Sequence, residues 1–493
     1  MYKDWWHKIS GHLGGVYPLY NVEAPDYFSL DIEKIITLRR ELGEKIELDP
    51  AAIACKVSLP HLLGDRTMVR NVLRAPWMSA YKGNGVWETA ALPPHGSRRP
   101  ESKIFLTQLE EALLIEATSY INNFDTIGIL LSGGMDSRIA AGIIRKLQLR
   151  SGNPKKVISL TWGVDNSRDV QYSQRIAKLF GWEMVHFPLS VANLVENIET
   201  AGLIGAEVSP LHLHAIPKIS ELSGLDAVIA ASYGDSVGRA EFSGTRVTDL
   251  KPILPGNIDR YGLLRCSAKK DTVCLLNDDA SSQPHLKGVK NRVRRYEIEQ
   301  EMYYMRRMLQ SCMLLIARKM PFYQMFTAPH VFGLMWDLDP AVRNDSWYRM
   351  LLERLPGNLL KIPWARTGRL YNGNEHTVAD NFSRLNHNYG VWLRREMSEI
   401  IETRVNSDTI RRLGIFNDAG LDNALKVWKK AKTRSTNSLD EILSWIASLY
   451  VFINRYQVKA DPFPRFIIQD NLNALKGRLY AEAYISVRNK MRT

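Results

Sequence analysis

A short run, GILLSGGMDS (residues 128–137), combines two glycines, two hydroxyls and one carboxylate at a spacing suited to a phosphate chain. The glycines let the backbone approach an anion closely, and a helix starting after them offers free N–H groups. Ser132 and Ser137 can donate to phosphate oxygens, whereas Asp136 would repel them unless Mg²⁺ lies between. Two glycines alone would indicate an ordinary strand-to-helix turn, but the whole string favours a nucleotide site. The predicted contacts are Leu131, Ser132, Gly133, Gly134, Asp136 and Ser137, with Asp136 as the metal ligand.

The surrounding residues predict the elements that position this run. Residues 126–131 are apolar without alternation, as in a strand buried on both faces, and Ile139, Ile143 and Leu147 follow at helical spacing. Further strands are predicted at KVISLTWGV, EMVHFPL and DAVIAASYGDS, with helices between them. This alternation predicts an α/β fold with a doubly wound parallel sheet and a ligand at the carboxyl ends of its strands. After Tyr296 the pattern is almost wholly helical.

Two breaks in composition divide the chain. The stretch ALPPHGSRRPESK (residues 91–103) has no periodicity and predicts a linker. It separates a small α+β domain at residues 1–90 from a larger domain at residues 104–493. A second polar stretch, NDDASSQPHLKG (residues 277–288), predicts a mobile loop.

Composition excludes several classes of protein. The 493 residues contain no apolar run as long as a membrane span, and the start MYKDWWHKIS has no signal-peptide core. Four cysteines without a CxxC pair argue against a zinc ribbon, an iron–sulfur cluster or a disulfide framework. We therefore expect a cytoplasmic protein without a membrane partner.

The net charge of +13 allows an acidic partner. The densest basic cluster, KGVKNRVRRYEIEQEMYYMRRM (residues 287–308), has the composition of a nucleic-acid groove. The favoured interpretation is a solvated helix face, on which Arg294 pairs with Glu297 and Arg295 with Glu299.

The SGGMDS run, the second strand-to-helix step and a later Gly/Asp loop together resemble the synthetase domain of asparagine synthetase and its relatives. These N-type ATP pyrophosphatases include β-lactam synthetases and lasso-peptide cyclases. The resemblance extends from Glu101 to the C-terminus and includes LKIPWARTGRLYNG and NHNYGVWLRREMSEII. It implies that ATP and Mg²⁺ bind, that a substrate carboxylate is adenylated with release of pyrophosphate, and that an amine or ammonia then displaces AMP.

The resemblance also implies residues at the second strand and its helix. Thr161 and Trp162 take the places where the family holds adenine and ribose. Asp169 and Ala177 approximately match an acidic residue and a spaced alanine of the family, although Asp169 fits a helix-capping carboxylate equally well.

The later loop, AASYGDSVGRAEFSG, departs from the family pattern in its register. Gly234 is implied as a nucleotide contact, and Asp235 as a second metal ligand displaced by one position. Tyr233 occupies a place where asparagine synthetases have glutamate and β-lactam synthetases have a tyrosine that helps deprotonate the amine. Two roles for Tyr233 stay open: catalysis, with Glu241 in a proton relay, and packing.

The stretch IPWARTGRLYNG falls where many family members have a lysine that meets the charge on adenylate and pyrophosphate. Lys361 precedes this motif and Arg366 lies inside it. Arg366 is the favoured candidate because a guanidinium can grip phosphate oxygens in two places.

The first ninety residues resemble the rear part of a glutaminase domain, down to the GDRT turn. The start Met1-Tyr2-Lys3 has no cysteine after the methionine, and Cys55 lies in an apolar run. The resemblance therefore implies a shortened glutaminase fold without its nucleophile, and we expect the amine to come from ammonia or from a substrate.

The expected function is an ATP-dependent amide-forming ligase in the biosynthesis of a peptide, antibiotic or glycan. The alternative is a non-catalytic or RNA-directed relative, such as a lysidine-type tRNA ligase. The intact SGGMDS run favours the ligase.

Overall fold

The computed structural model describes residues 11–371 and 380–491. The N-terminal part consists of short strands and two helices, as its mixed pattern predicts. Asp31 and Asp49 cap the two helices by accepting hydrogen bonds from backbone N–H groups of their first turns. The elements are β1 (Leu19–Asn21), β2 (Ala24–Ser29), α1 (Ile32–Glu41), α2 (Pro50–Ser58), β3 (Val72–Arg74), β4 (Ser79–Gly83) and β5 (Val86–Thr89).

Strand β1 is the centre of a three-stranded antiparallel sheet in the order β2-β1-β3, and β4 and β5 form a separate hairpin.

The next part of the chain alternates strand and helix, which confirms the predicted α/β class. Its first elements are α3 (Ser102–Ile121), β6 (Thr126–Leu130), α4 (Met135–Arg150), β7 (Lys156–Gly163), α5 (Arg168–Phe180), β8 (Glu183–Pro188) and α6 (Val191–Leu203). Two short helices, a strand, a five-residue π-helix and a small hairpin follow: α7 (Pro210–Leu213), α8 (Ile216–Ser220), β9 (Ala227–Ala230), the π-helix (Gly234–Gly238), β10 (Glu241–Phe242) and β11 (Thr245–Arg246).

Helices dominate the remaining described residues. They are α9 (Cys266–Ser281), α10 (Arg292–Glu299), a second π-helix (Gln300–Gln310), α11 (Ser311–Lys319), α12 (Pro329–Trp336), α13 (Asp345–Arg354), α14 (Tyr389–Arg394), α15 (Ser398–Val405), α16 (Asp408–Arg411), α17 (Asp418–Trp428), α18 (Ser438–Tyr456) and α19 (Ile467–Met491), with one strand, β12 (Phe322–Gln324), between α11 and α12. In the described part of the chain, no helix is both long enough and apolar enough to cross a membrane.

Strand β12 adds one short strand to a part of the chain that is otherwise largely helical, as the sequence after Tyr296 predicts. It pairs in parallel with β9 and forms one edge of the central sheet. Met320, where α11 ends, is extended, because the residue before a proline is disfavoured in the helical region. The helix therefore ends before Pro321, and the chain continues as a strand of the central sheet.

The central sheet is parallel throughout, in the order β12-β9-β6-β7-β8. The chain runs outward from β6 to β8 and then returns to β9 on the other side of β6. Strand order therefore reverses between β6 and β9, and ligands of doubly wound sheets bind at the carboxyl ends beside such a reversal.

The N-terminal part is held to the sheet by buried ions. Glu207, which follows α6, accepts hydrogen bonds from Arg74 of β3 and from Arg307, each at 2.8 Å. The predicted linker packs as well: the backbone N–H groups of Ser97 and Arg98 both donate to the carbonyl of Asp337. The boundaries at residues 90 and 104 stay a prediction.

The polar stretch at residues 277–288 was predicted to be a mobile loop, and the structure corrects this prediction. Its first five residues complete α9. Asp279 there forms an ion pair with Arg66 at 2.8 Å, and its carbonyl accepts a hydrogen bond from the hydroxyl of Tyr303. These contacts fix a segment whose composition alone favours a loop.

Candidate functional site

A cavity of about 390 Å³ lies at the reversal of strand order. We call it the switch-point cavity. Its walls come from the residues after β6, β7 and β9 together with the helices beside them. The lining residues include Leu131, Ser132, Asp136, Ser137, Thr161, Trp162, Asp169, His212, His214, Ala231, Ser232, Cys312 and Asn386. Six of the residues predicted from the sequence thus line one cavity, namely Leu131, Ser132, Asp136, Ser137, Thr161 and Trp162.

The Gly–Gly loop is ordered by its own polar groups. The hydroxyls of Ser132 and Ser137 lie 3.0 Å apart, and the Ser132 hydroxyl accepts from the N–H of Gly134 at 3.1 Å. Gly133 donates its N–H to Asp169 at 3.1 Å. The N-cap of α5 is Ser167, not Asp169. Asp169 instead lines the cavity, and its carboxylate holds the Gly–Gly loop through the N–H of Gly133.

Only glycine fits at positions 133 and 234, because side chains from other segments lie very close to the backbone there. A Cβ at Gly133 would lie 2.8 Å from the Cβ of Ala365, and a Cβ at Gly234 would lie 2.5 Å from the Cβ of Asp136. The loop after β9 thus packs directly on the first turn of α4. This contact requires glycine at the position where the resemblance implies one.

Asp136 is the buried carboxylate at the centre of this arrangement. Its Oδ1 accepts no hydrogen bond within the described structure and lies 3.5 Å from Nε of Arg239. Burial raises the pKa of Asp136 to about 6, although Arg239 opposes the rise. Asp136 Oδ1 therefore has an ion-pair partner in Arg239 but no hydrogen-bond donor.

Arg239 was not found by sequence reasoning, and it already supplies one cation. Its side chain is only 3% exposed and contacts three carboxylates: Asp136, Asp235 and Asp345. The predicted second metal ligand, Asp235, is hydrogen-bonded to this guanidinium. Arg239 directly follows the π-helix, and no local sequence pattern indicates its role.

Arg366 lies at the edge of the same cluster. Its guanidinium donates to Glu241 at 2.6 Å and is 44% exposed. The ring of Trp364 is near both arginines, 5.7 Å from Arg239 and 5.5 Å from Arg366. Lys361 is exposed and does not line the cavity. Arg366 does not line the cavity either, and what distinguishes it from Lys361 is its contact with Glu241 and Trp364. Asn372 and Gly373 of the predicted motif lie outside the described residues.

A second arginine fastens this motif to the loop. Arg138, on α4, is fully buried and donates to four carbonyls: those of Leu359, Ile362, Pro363 and Gly133. The N–H of Ala365 also donates to the carbonyl of Gly133. Burial lowers the pKa of Arg138 to about 10. The stretch from residue 359 to 365 is therefore held against the Gly–Gly loop.

Tyr233 points away from the cavity, although it stands next to Ser232, which lines it. Its side chain is completely buried, and its hydroxyl lies 3.4 Å from the carbonyl of Leu13 in the N-terminal part. Burial raises its pKa well above the ordinary value, and the nearby Glu301 adds to this rise. Glu241 binds Arg366 instead, so no Tyr233–Glu241 relay is formed.

The two predicted residues at the end of β7, Thr161 and Trp162, differ in their contacts. The hydroxyl of Thr161 is buried between the carbonyl of Leu131 and the hydroxyl of Ser173. Trp162 stacks on His214, and that ring stacks in turn on Tyr389. Ala177 is buried inside α5 and does not reach the cavity.

The basic cluster is divided: two of its seven basic side chains are buried, and the other five are half-buried or exposed. Arg306 and Arg307 are buried and bind Asp65 and Glu207. The Arg295–Glu299 pair forms as predicted, at 3.1 Å. The predicted Arg294–Glu297 pair is wrong.

Glu297 is completely buried, and its partners come from other elements. It binds Arg343, His95 and Trp336. Arg343 and Trp336 are hydrogen-bond donors that no helical spacing could have indicated, and together with His95 they draw Glu297 away from Arg294.

The donor set fits a magnesium ion that is completed by a nucleotide. No group of three or more His, Cys, Asp or Glu side chains in the described residues is arranged to hold a metal alone. Mg²⁺ bound with a nucleotide needs only one or two carboxylates, because phosphate oxygens and water supply the rest. Asp136, whose Oδ1 accepts no hydrogen bond, would supply one such oxygen, and Arg239 contacts both Asp136 and Asp235.

Comparison with known proteins agrees with the sequence resemblance. The asparagine synthase family model matches residues 111–212. No curated protein matches the chain. Among solved structures, an NMN synthetase from Francisella tularensis is 15% identical, with 45% of this chain and 94% of that chain covered and a TM-score of 0.21. The match over residues 111–212 supports an asparagine synthetase-like synthetase domain there, and with it an ATP-dependent C–N ligase or synthetase.

Proposed function

We propose that this asparagine synthetase-like domain is an AMP-forming ligase that binds ATP and Mg²⁺ in the switch-point cavity and joins a carboxylate to an amine. The observation that carries the proposal is the position of Asp136. Its buried Oδ1, which accepts no hydrogen bond, lies at the first turn of α4, directly after a Gly–Gly loop at the reversal of strand order.

The loop residues would bind the phosphates. The donors of the loop now bond one another and can donate to phosphate oxygens instead. They are the hydroxyls of Ser132 and Ser137 and the N–H groups at the start of α4. Mg²⁺ would be held by Asp136 and would neutralise charge on the departing pyrophosphate. Trp162 would pack against the adenosine part, as the resemblance implies.

Two arginines would stabilise the charge that develops when the bond between the α- and β-phosphates breaks. Arg239 is desolvated and fixed by three carboxylates, so it is preorganised and needs little rearrangement. Arg366 is more exposed and would reach the phosphates from the open side. Neither arginine can act as an acid at neutral pH, so both roles are electrostatic.

The amine would come from a substrate or from free ammonia. Cys55 is unsuited to attack glutamine: it is fully buried, its thiol donates to the carbonyl of His61, and burial raises its pKa to about 12. Tyr233 has a packing role in this proposal, because its hydroxyl faces Leu13 instead of the cavity. The carboxylate could belong to a peptide, an antibiotic precursor or a glycan precursor, and the cytoplasm is the proposed compartment.

The binding part of the proposal is tested by calorimetric titration of ATP with Mg²⁺ into the purified chain. We expect one ATP per chain, and binding that is weakened at least about tenfold by Ser132→Ala together with Ser137→Ala. The matched control, Ser281→Ala, alters an exposed hydroxyl that bonds only its own helix. Absence of ATP binding to the wild-type chain would overturn the proposal.

A further inference from the structure

The outer side of α19 carries a row of exposed apolar side chains, which we call the α19 stripe. Its members are Ile468, Leu472, Leu475 and Leu479, and they are between 51% and 72% exposed. They recur at intervals of four, three and four residues, so they lie on one side of the helix. The residues at positions 470, 474, 477 and 481 are buried on the opposite side of the helix, which packs against α17.

The apolar surface at the stripe is large for a protein that stays monomeric. Phe466 and Ile467 are exposed beside its first residue and extend it at the start of the helix. Together the six side chains expose roughly 600 Å², the upper end of the range for the largest patch on a monomer. A stable dimer buries about 800 Å² from each partner. The stems of Lys476 and Arg478, which are exposed on the two flanks of the stripe, bring the surface close to that size.

The spacing of the stripe is symmetric. Intervals of four, three and four residues are the same in both directions, so an antiparallel copy of α19 presents the same pattern. Leu472 of one chain then faces Leu475 of the other, and Ile468 of one chain faces Leu479 of the other. A two-fold axis between positions 473 and 474 produces each contact twice, as an isologous interface requires. The same intervals occur in helices that pack as coiled coils, so the stripe is complementary to itself.

Charged residues beyond the two ends of the stripe favour the antiparallel arrangement. Arg465 lies three residues before Ile468, and Glu482 lies three residues after Leu479. An antiparallel copy brings Arg465 of one chain towards Glu482 of the other at both ends, whereas a parallel copy would bring like charges together. Both charges are also paired within their own chain, at 2.9 and 3.1 Å, so the contact between chains would extend existing ion pairs.

We propose that the α19 stripe is a dimer interface, in which α19 packs antiparallel against α19 of a second copy of the chain. No residue of the stripe lines the switch-point cavity, so the interface and the proposed nucleotide site are separate. The dimer therefore does not depend on the proposed function.

Sedimentation equilibrium of the full chain tests the proposal. We expect a dimer with a Kd of about 10 μM or tighter. Leu472→Glu and Leu475→Lys should each weaken association at least about tenfold, because a charge would be buried against the facing leucine. Circular dichroism should show both variants folded, since both side chains are half exposed. The matched control is Ile115→Glu, which alters an equally exposed apolar position on α3 and should leave association unchanged.

A mixture of the two variants tests the register. Leu472→Glu in one chain would face Leu475→Lys in the other, so the opposite charges would pair across the interface. We expect an equimolar mixture to form a heterodimer at a concentration at which neither variant associates alone. A parallel pair cannot form this contact, because position 472 would then face position 472. A mixture that stays monomeric would overturn the antiparallel interface.

Two further results would contradict the dimer. One is a wild-type chain that is monomeric at about 100 μM, and the other is a dimer that neither substitution weakens. Sedimentation with vesicles of phosphatidylserine and phosphatidylcholine tests a lipid surface as the other occupant of an apolar stripe with flanking cations. Vesicle binding by a monomeric wild-type chain, lost with Leu472→Glu, would assign the stripe to a lipid surface and overturn the proposal.

Discussion

Arg239 balances the charge of the switch-point cavity, because three carboxylates surround one buried guanidinium. Burial alone would lower its pKa, but Asp136 foremost among its neighbours holds that pKa above its ordinary value. The arginine therefore stays charged at every pH at which the protein is folded. Its guanidinium contacts both Asp136 and Asp235, the two carboxylates predicted as metal ligands.

We expect Arg239→Met to lower stability by roughly 2 kcal/mol, which is less than for a fully buried pair because Asp235 and Asp345 are partly exposed. The same variant should bind Mn²⁺ more tightly than the wild-type chain, since Asp235 is released. Chemical denaturation and Mn²⁺ titration followed by electron paramagnetic resonance measure the two effects. Arg412→Met, which breaks an exposed ion pair, is the control. Unchanged Mn²⁺ affinity would contradict the role given to Arg239.

Asp136→Asn should abolish ligase activity without unfolding the protein. The pKa of Asp136 is raised from 3.8 to about 6, so the folded state binds more protons than the unfolded state between these values. Its contribution therefore makes stability fall as pH rises from about 4 to about 6, by on the order of 3 kcal/mol.

An asparagine at position 136 carries no charge, so it removes the destabilisation that the buried carboxylate causes at higher pH. Arg239 keeps its two other carboxylate partners, Asp235 and Asp345. We expect the variant to be at least as stable as the wild-type chain in urea denaturation at pH 8, and to bind Mg·ATP more weakly. A clear loss of stability at pH 8 would show that Asp136 is structural.

Among the elements, α4 and the stretch from residue 359 to 365 form one unit with the Gly–Gly loop. The link is Arg138, with its four carbonyl acceptors. The start of α4, the proposed phosphate site, is thus held in place by a segment far away in the sequence. The brace also places Arg366 near the acidic cluster.

We expect Arg138→Met to cost about 3 kcal/mol, because four buried carbonyls lose a charged donor. Arg150→Met, on the exposed end of the same helix, should have almost no effect. Urea denaturation measures both variants. Limited proteolysis should also cut the variant faster near residue 362, and equal cleavage of both proteins would argue against the brace.

The sequence predicted the elements whose signals are local. The unbroken apolar run of β6, the helical spacing after it and the SGGMDS turn between them each depend on a few adjacent residues. Strand β12 was missed because three residues carry too little pattern, and its conformation depends on pairing with β9. Arg239 and Arg138 were missed for a related reason, because their partners come from distant parts of the chain. Tyr233 shows the same limit, since its loop matched the family while its ring faces the N-terminal part.

At the scale of the whole molecule, Glu207 joins the N-terminal part to the synthetase domain. Burial alone would raise its pKa, but Arg74 and Arg307 outweigh burial, and the pKa lies below its ordinary value of 4.5. A lowered pKa means that the stabilisation is present above about pH 4.5 and is lost as pH falls through the folded-state pKa.

Glu207→Gln should therefore destabilise the protein at pH 7 by about 3 kcal/mol, since two buried arginines lose their carboxylate. The difference between variant and wild type should shrink below pH 4. Scanning calorimetry across pH measures it, with Glu33→Gln, which alters an exposed pair, as the control. A pH-independent difference would mean that the carboxylate charge is not what joins the two parts.

The central claim is that the domain cleaves ATP between its α- and β-phosphates. The most direct measurement is chromatography of the nucleotide products after incubation of ATP labelled at the α-phosphate with Mg²⁺, the purified chain and pooled amino acids and carboxylates. We predict that the label appears in AMP, with an equal amount of unlabelled pyrophosphate in a parallel pyrophosphate assay, and that Asp136→Asn forms neither. ADP and phosphate as the products would contradict the account.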